Sequence, residues 1–100
     1  MSDSRVHASH ILLKDRDTCE NLHRDILDGT ISFDEAAQKH SLCPSGAKGG
    51  DLGSFPRGVM IQEFNDLVFD KNVPLHKPQS CLATPFGYHI VQVLNRGGGD

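Results

Sequence analysis

Apolar residues recur along this chain with two periods, and the change of period marks its elements. From Val6 to Leu13 they alternate: Val6, Ala8, His10 and Leu12 fall on one face and His7, Ser9, Ile11 and Leu13 on the other, which predicts a strand. The second half of that strand is apolar on both faces, as in a central strand covered from both sides. Lys14 to Asp17 reads as a short polar turn, and then the period lengthens. Cys19, Leu22, Ile26 and Leu27 lie at i, i+3, i+7 and i+8, one face of a helix that Asp17 or Thr18 can cap and that Gly29 stops after Asp28. Ser32 and Glu35 form a capping box for a second helix, with Ile31 and Ala36 as its hydrophobic staple. Phe33, Ala36, Ala37 and His40 mark its buried side.

Ser41 to Phe55, S-L-C-P-S-G-A-K-G-G-D-L-G-S-F, follows neither period. Gly46, Gly49, Gly50 and Gly53 permit positive φ or close backbone approach, and Pro44 fixes its own φ while biasing Cys43 toward an extended conformation. This is a shaped loop that presents Cys43 and Asp51 and leads into a short strand, Asp51 to Phe55. After the turn Pro56-Arg57-Gly58, a third helix is predicted from about Met60 to Phe69, with Ile61, Phe64, Leu67 and Val68 on one side. Asp70 to Pro78 is a loop. Gln79 to Ala83 and Tyr88 to Leu94 form a hairpin across Thr84-Pro85-Phe86-Gly87, with His89, Val91 and Val93 sharing a face. The glycine-rich tail from Arg96 to Asp100 is expected to be disordered. Strand, helices, strand, helix and hairpin give an α+β layout, an antiparallel sheet with helices around it.

Composition narrows the function without naming it. One hundred residues make one domain, and a net charge of −3 offers no broad footprint for nucleic acid or an anionic membrane surface. No apolar run approaches the roughly 18 residues that span a bilayer, and the polar start lacks the apolar core of a secretory signal. The expectation is a whole, monomeric, cytoplasmic protein. Cys19, Cys43 and Cys81 are odd in number, widely spaced and without a CxxC pair, which argues for reduced thiols and against both a disulfide framework and a four-cysteine zinc site.

Three strings carry a resemblance: S-H-I-L-L near the start, then C-P-S-G-A-K-G-G-D-L-G-S-F followed by R-G-V-M-I-Q-E-F, then F-G-Y-H-I-V near the end. In this order and spacing, from about Val6 to Arg96, the chain resembles the parvulin-type peptidyl-prolyl cis/trans isomerases, and among them the small, free-standing bacterial forms. The resemblance implies a four-stranded antiparallel sheet surrounded by four helices, the parvulin or FKBP-like arrangement. One of the four is a short turn near Pro44 to Lys48, and the ordered core covers about residues 6–96. It places His10, Cys43, His89 and Thr84 at the reacting amide and Leu52, Met60 and Phe64 around the proline ring. Phe86 stands where phosphate-dependent members often carry serine. Those members also carry a cluster of arginine and lysine in a long loop after the first strand. Here that loop is only Lys14-Asp15-Arg16-Asp17, two acids among two bases, so an uncharged or apolar residue before proline is expected.

The chemistry this implies needs no cofactor or metal. Resonance raises a barrier of about 18 to 20 kcal/mol to amide rotation, while the X-Pro isomers differ by only about 0.5 to 1 kcal/mol. A protein therefore has only to grip the ring and stabilise the twisted amide. Expected partners are proline-containing peptides and unfolded or partly folded proteins. A noncovalent role for Cys43 is favoured over attack on the carbonyl, and His10 and His89 are also readable as satisfied core histidines. Two rival functions remain at this stage. One is a module that holds proline segments without turnover. The other is a thiol hydrolase with Cys43 as nucleophile, His10 or His89 as base and Asp51 as orienter. A zinc site from His7, His10, Cys43 and His89 is opposed by the strand period, which points His7 and His10 to opposite faces.

Overall fold

The strand with apolar residues on both faces lies inside the sheet. In the computed structural model, which describes residues 5–96, the chain order is β1 (Arg5–Leu13), α1 (Arg16–Leu27), α2 (Phe33–His40), a 3₁₀ turn (Pro44–Lys48), β2 (Asp51–Pro56), α3 (Gln62–Val68), β3 (Gln79–Thr84) and β4 (Gly87–Arg96). The four strands form one antiparallel sheet in the order β2-β1-β4-β3, so β1 and β4 are central and β2 and β3 are edges. This is the predicted α+β architecture, with three α-helices and the short 3₁₀ turn in the place of a fourth. Of the tail expected to be disordered, Arg96 instead ends β4, its Nε–H donating to Val68 O at 2.8 Å, and 97–100 lie outside the described residues. Among the described residues no helix is long and apolar enough to cross a membrane.

Each sheet face buries its own core. Val6, Ala8, Phe55, Val91 and Val93 pack with Phe64, Val68 and Phe69, from α3 and the residue after it. On the other side Ile11, Leu13 and Ile90 pack with Cys19 and Leu22 of α1 and Ala36 and Ala37 of α2.

β1 pairs with β4 along its length but with β2 only as far as Ser9↔Asp51. Backbone groups at its outer edge beyond that point need partners, and the Ser41 to Gly50 segment supplies them. The His10 N–H donates to Gly50 O (2.9 Å), the Leu42 N–H to Leu12 O (2.8 Å) and the Leu12 N–H to Ser41 Oγ (3.1 Å). Gly50 has φ +85°, and a Cβ there would collide with the His10 carbonyl oxygen, so the close approach demands glycine. The glycine-rich loop is thereby fastened to the sheet beside His10.

Three local expectations are corrected. Asp15, not Asp17 or Thr18, caps α1: its Oδ1 accepts from the Thr18 N–H at 2.8 Å, and Asp17 sits in the first turn, where its charge complements the helix dipole. α3 begins at Gln62, because the preceding residues turn, with the Gly58 N–H held by Asn65 Oδ1 at 2.9 Å. His40, placed by period on the buried side of α2, is exposed at the last turn.

The largest correction concerns the thiols. Cys19 and Cys81 are disulfide-bonded, their Cα atoms 6.1 Å apart, and Cys43 is the free cysteine. Spacing gave no sign of the pair, because 62 residues separate its members and only the packing of α1 against β3 brings them together. A closure of that length contributes about 4 kcal/mol on a chain-entropy account. It also removes the thiol argument for a reducing compartment.

Candidate active site

Period 2 in β1 sends His10 to the α3 side, and the same period in β4 sends His89 there. The strands are neighbours, with Leu12 opposite His89 and His10 opposite Val91, so the two imidazoles meet although 79 residues lie between them. Their rings stack with centroids 5.1 Å apart, and their Nδ1 atoms are 2.9 Å apart, a hydrogen bond in which one donates and the other accepts. Phe64 presents itself nearly perpendicular to both rings, at 5.7 Å from His10 and 6.0 Å from His89. The histidines are 7% and 4% exposed, which makes them the most deeply buried ionisable groups among the described residues.

Thr84 decides the tautomers. Its Oγ1 lies 2.7 Å from His89 Nε2 but 3.5 Å from Gly87 O, and it accepts the Phe86 N–H at 3.1 Å. The short contact is the better place for the hydroxyl proton. Thr84 then donates to His89 Nε2, His89 Nδ1–H donates to His10 Nδ1, and His10 carries its remaining proton on Nε2. That nitrogen is buried and has no partner.

Burial holds both histidines neutral near pH 7. The His10 pKa is lowered to about 4, chiefly by desolvation and secondarily by His89, and the His89 pKa is lowered by desolvation.

Over these rings opens a cavity of about 360 Å³. Leu52, Met60 and Phe64 form one wall, and Cys43 and Pro44 from the glycine-rich loop form another, with His10 and His89 in its lining. Leu42 and Phe86, both largely exposed, stand on its rim. The lining includes no lysine, arginine, aspartate or glutamate. Arg16, one of the two bases of the short loop after β1, lies over the Tyr88 ring at 5.7 Å. Cys43 Sγ accepts the Ser45 hydroxyl at 3.3 Å, and the Cys43 N–H donates to Ser41 Oγ.

Of the eight residues expected at the site, seven line this cavity: His10, Cys43, His89, Leu52, Met60, Phe64 and Phe86. Thr84 stands behind His89 and acts on it. Leu12, Leu42 and Pro44 also line the cavity and were not foreseen. The strand period that selects His10 selects Leu12 as well, two residues on. Leu42 and Pro44 flank Cys43 in irregular backbone, where no period exists to flag them.

Asp51 lies elsewhere. Its Oδ1 accepts from the Gly53 N–H and from His7 Nε2–H, both at 2.7 Å, and these bonds, Gly53 first, hold its carboxyl below the usual carboxylate range. The hydrolase triad therefore lacks its orienter, and His7 is committed to Asp51. A second hollow, about 240 Å³ between Thr18, Asn21, Leu22, Asp25 and His40, contains none of the expected residues.

Comparison with known proteins gives one family. The model of the PPIC-type PPIase domain matches residues 1–97. The foldase protein PrsA of Halalkalibacterium halodurans is 38% identical over 92 residues, covering 91% of this chain and 27% of the relative. The chaperone SurA of Thiobacillus denitrificans is 32% identical over 111 residues, covering 100% of this chain and 24% of the relative. The chain thus spans about a quarter of the length of these two curated relatives. Among solved structures, the peptidylprolyl isomerase PrsA of Bacillus anthracis superposes with a TM-score of 0.87 at 30% identity, over 99% of this chain and 45% of that one. NmPin, the parvulin of Nitrosopumilus maritimus, superposes with 0.79 at 26% identity, over 95% of this chain and 99% of that one.

Proposed function

The chain belongs to the PPIC-type peptidyl-prolyl cis/trans isomerase family, the parvulins, and from that premise we propose that it accelerates rotation about X-Pro bonds without requiring a phosphate on the preceding residue. The observation that carries this is the carbon-walled cavity closed at its base by two neutral imidazoles and free of basic side chains.

Leu52, Met60 and Phe64 hold the proline ring by removing its apolar surface from water. A planar amide owes its polarity to the resonance that also raises the rotational barrier, and twisting the bond removes both. A dry, uncharged cavity therefore disfavours the planar ground state more than the twisted one. The Thr84, His89 and His10 chain fixes the two imidazoles at its base, and the Cys43 thiol stands in the lining beside them.

Cys43 works noncovalently in this reading. Its sulfur accepts a hydrogen bond from the Ser45 hydroxyl, whereas a nucleophilic thiol needs a base within reach. Cys43→Asp accordingly retains turnover, and abolition of turnover by this change would overturn the noncovalent role. A single copy suffices, because one chain lines the whole cavity, and the fitting partners are proline-containing segments of peptides and of unfolded or partly folded proteins.

An NMR exchange assay on short peptides with leucine, glutamate or phosphoserine before proline tests the proposal. Fast exchange with leucine and little with phosphoserine is expected, because the cavity's lining offers a dianionic phosphate no lysine or arginine. Faster exchange with phosphoserine overturns phosphate independence. Exchange as slow as the uncatalysed tens to hundreds of seconds on every peptide, with binding retained, would make the domain a holding module.

A further inference from the structure

The edge strand β3 carries Thr84, the residue that sets the tautomer of His89, and it has only one strand neighbour. Its pairing with β4 is regular from Leu82 to Thr84 and shifts register between Gln79 and Leu82. At that irregularity Cys81 turns to the α1 side and is bonded to Cys19, while Leu82 turns to the α3 side. One helical turn along α1 from Cys19, the His23 Nε2–H donates to Pro78 O at 2.8 Å. The start of β3 is therefore fastened to α1 at two points, one covalent and one a hydrogen bond, and three residues after the covalent point comes Thr84. Cys19 is fully buried and Cys81 is partly exposed, so the bridge has its more exposed residue on the β3 side.

We propose that the Cys19–Cys81 bridge is a redox-controlled positioning element for the catalytic imidazoles: oxidised, it holds β3 so that Thr84 aims His89 and His10, and reduced, it slows isomerisation more than it weakens proline binding. This rests on the isomerase reading given above. The redox step is thiol–disulfide exchange with a dithiol. The S–S bond breaks, two S–H bonds form, and the dithiol leaves as a cyclic disulfide after giving up two electrons and two protons. The ring-holding residues Leu52, Met60 and Phe64 lie on β2, on α3 and between them, on the opposite face of the sheet from the bridge, with Leu82 as their contact from β3, so binding is expected to respond less than turnover.

The test compares the full chain oxidised with glutathione disulfide and reduced with dithiothreitol, at a temperature where circular dichroism shows both to be folded. The gain of two hydrogens on reduction is checked by mass. Reduction is expected to lower kcat roughly tenfold, the scale of a sub-ångström misplacement, with a smaller change in KM. The imidazole ¹⁵N signals of His89 and His10 should move as the tautomers mix. The Cys19→Ser/Cys81→Ser variant should match the reduced protein and ignore dithiothreitol. Failure of that variant to fold leaves the decision to the wild-type titration. Equal kcat in both wild-type forms, or no bridge after oxidation, overturns the proposal. If neither form turns over any peptide, the isomerase reading has failed, and the ¹⁵N signals decide the coupling alone: no shift on reduction overturns it.

Discussion

The two faces of the sheet are made from the same strands and do different work. On the α1 and α2 side, Ile11, Leu13, Ile90, Cys19, Leu22, Ala36 and Ala37 bury carbon and sulfur, with Ser9 of the same strand face the buried polar residue beside them, and a disulfide crosses the packing. On the α3 side the core is continuous with the cavity. Phe64 belongs to both, and two histidines are buried at the boundary with one nitrogen left unpaired. An unpaired buried polar atom costs stability that a dry core does not forfeit. The supporting face thus offsets what the working face gives up in order to keep a neutral, preorganised pocket.

Truncation on each face should separate stability from turnover most sharply. Ile90→Ala is expected to destabilise by about 3 kcal/mol and Phe64→Ala by about 4 kcal/mol in urea titrations. Only Phe64→Ala should raise KM for a leucyl-prolyl peptide under conditions where both variants stay folded. Equal effects on KM would erase the distinction between the faces.

Acid should strike the working face next. The unfolded chain protonates its histidines near 6.5, whereas folded His10 resists until about 4. Its contribution is complete above 6.5 and is lost as pH falls toward 4, because the unfolded state takes up a proton that the folded state refuses. The loss is about 3 kcal/mol. His89, lowered by desolvation, adds to the loss in the same window, whereas Asp15, Asp28 and Asp51, lowered by hydrogen bonds, act at its acid end and below. Urea midpoints at the two ends of the window measure the loss, and a flat profile would contradict the neutral imidazole pair.

A smaller change sharpens the role of the hydroxyl. Thr84→Val keeps the side-chain shape but leaves His89 Nε2 without its partner, and kcat is expected to fall roughly tenfold, the size of one lost hydrogen bond of about 1.4 kcal/mol. Its KM should hold. The mildest test belongs to the supporting face. Ser32→Ala removes the acceptor for the Glu35 N–H (3.1 Å) at the start of α2 and should cost about 1 kcal/mol of stability without touching turnover.

Much of this was legible from residue order. The period in β1 and β4 put His10 with Leu12 and His89 with Val91 on the working face, and the glycine and proline positions marked the loop that presents Cys43. The Ser32 cap was read correctly, whereas the α1 cap was placed too late because Asp15, Asp17 and Thr18 are all competent cap residues and only the backbone conformation at Asp15 chooses among them. His40 was misread for a related reason. It has the right phase, but α2 ends there and nothing covers its last turn.

The sequence by itself determined the elements, their buried faces and the residue types available for chemistry, because these follow from sterics and side-chain direction among near neighbours. Residue order through its resemblance already placed His10 with His89, but only the tertiary structure decided how their rings meet and that Cys19 joins Cys81, His7 joins Asp51 and His23 joins the carbonyl of Pro78. Those pairings depend on strand order and on the docking of α1 against an edge strand. Both are settled by burying two sheet faces at once, a global condition that no local spacing expresses.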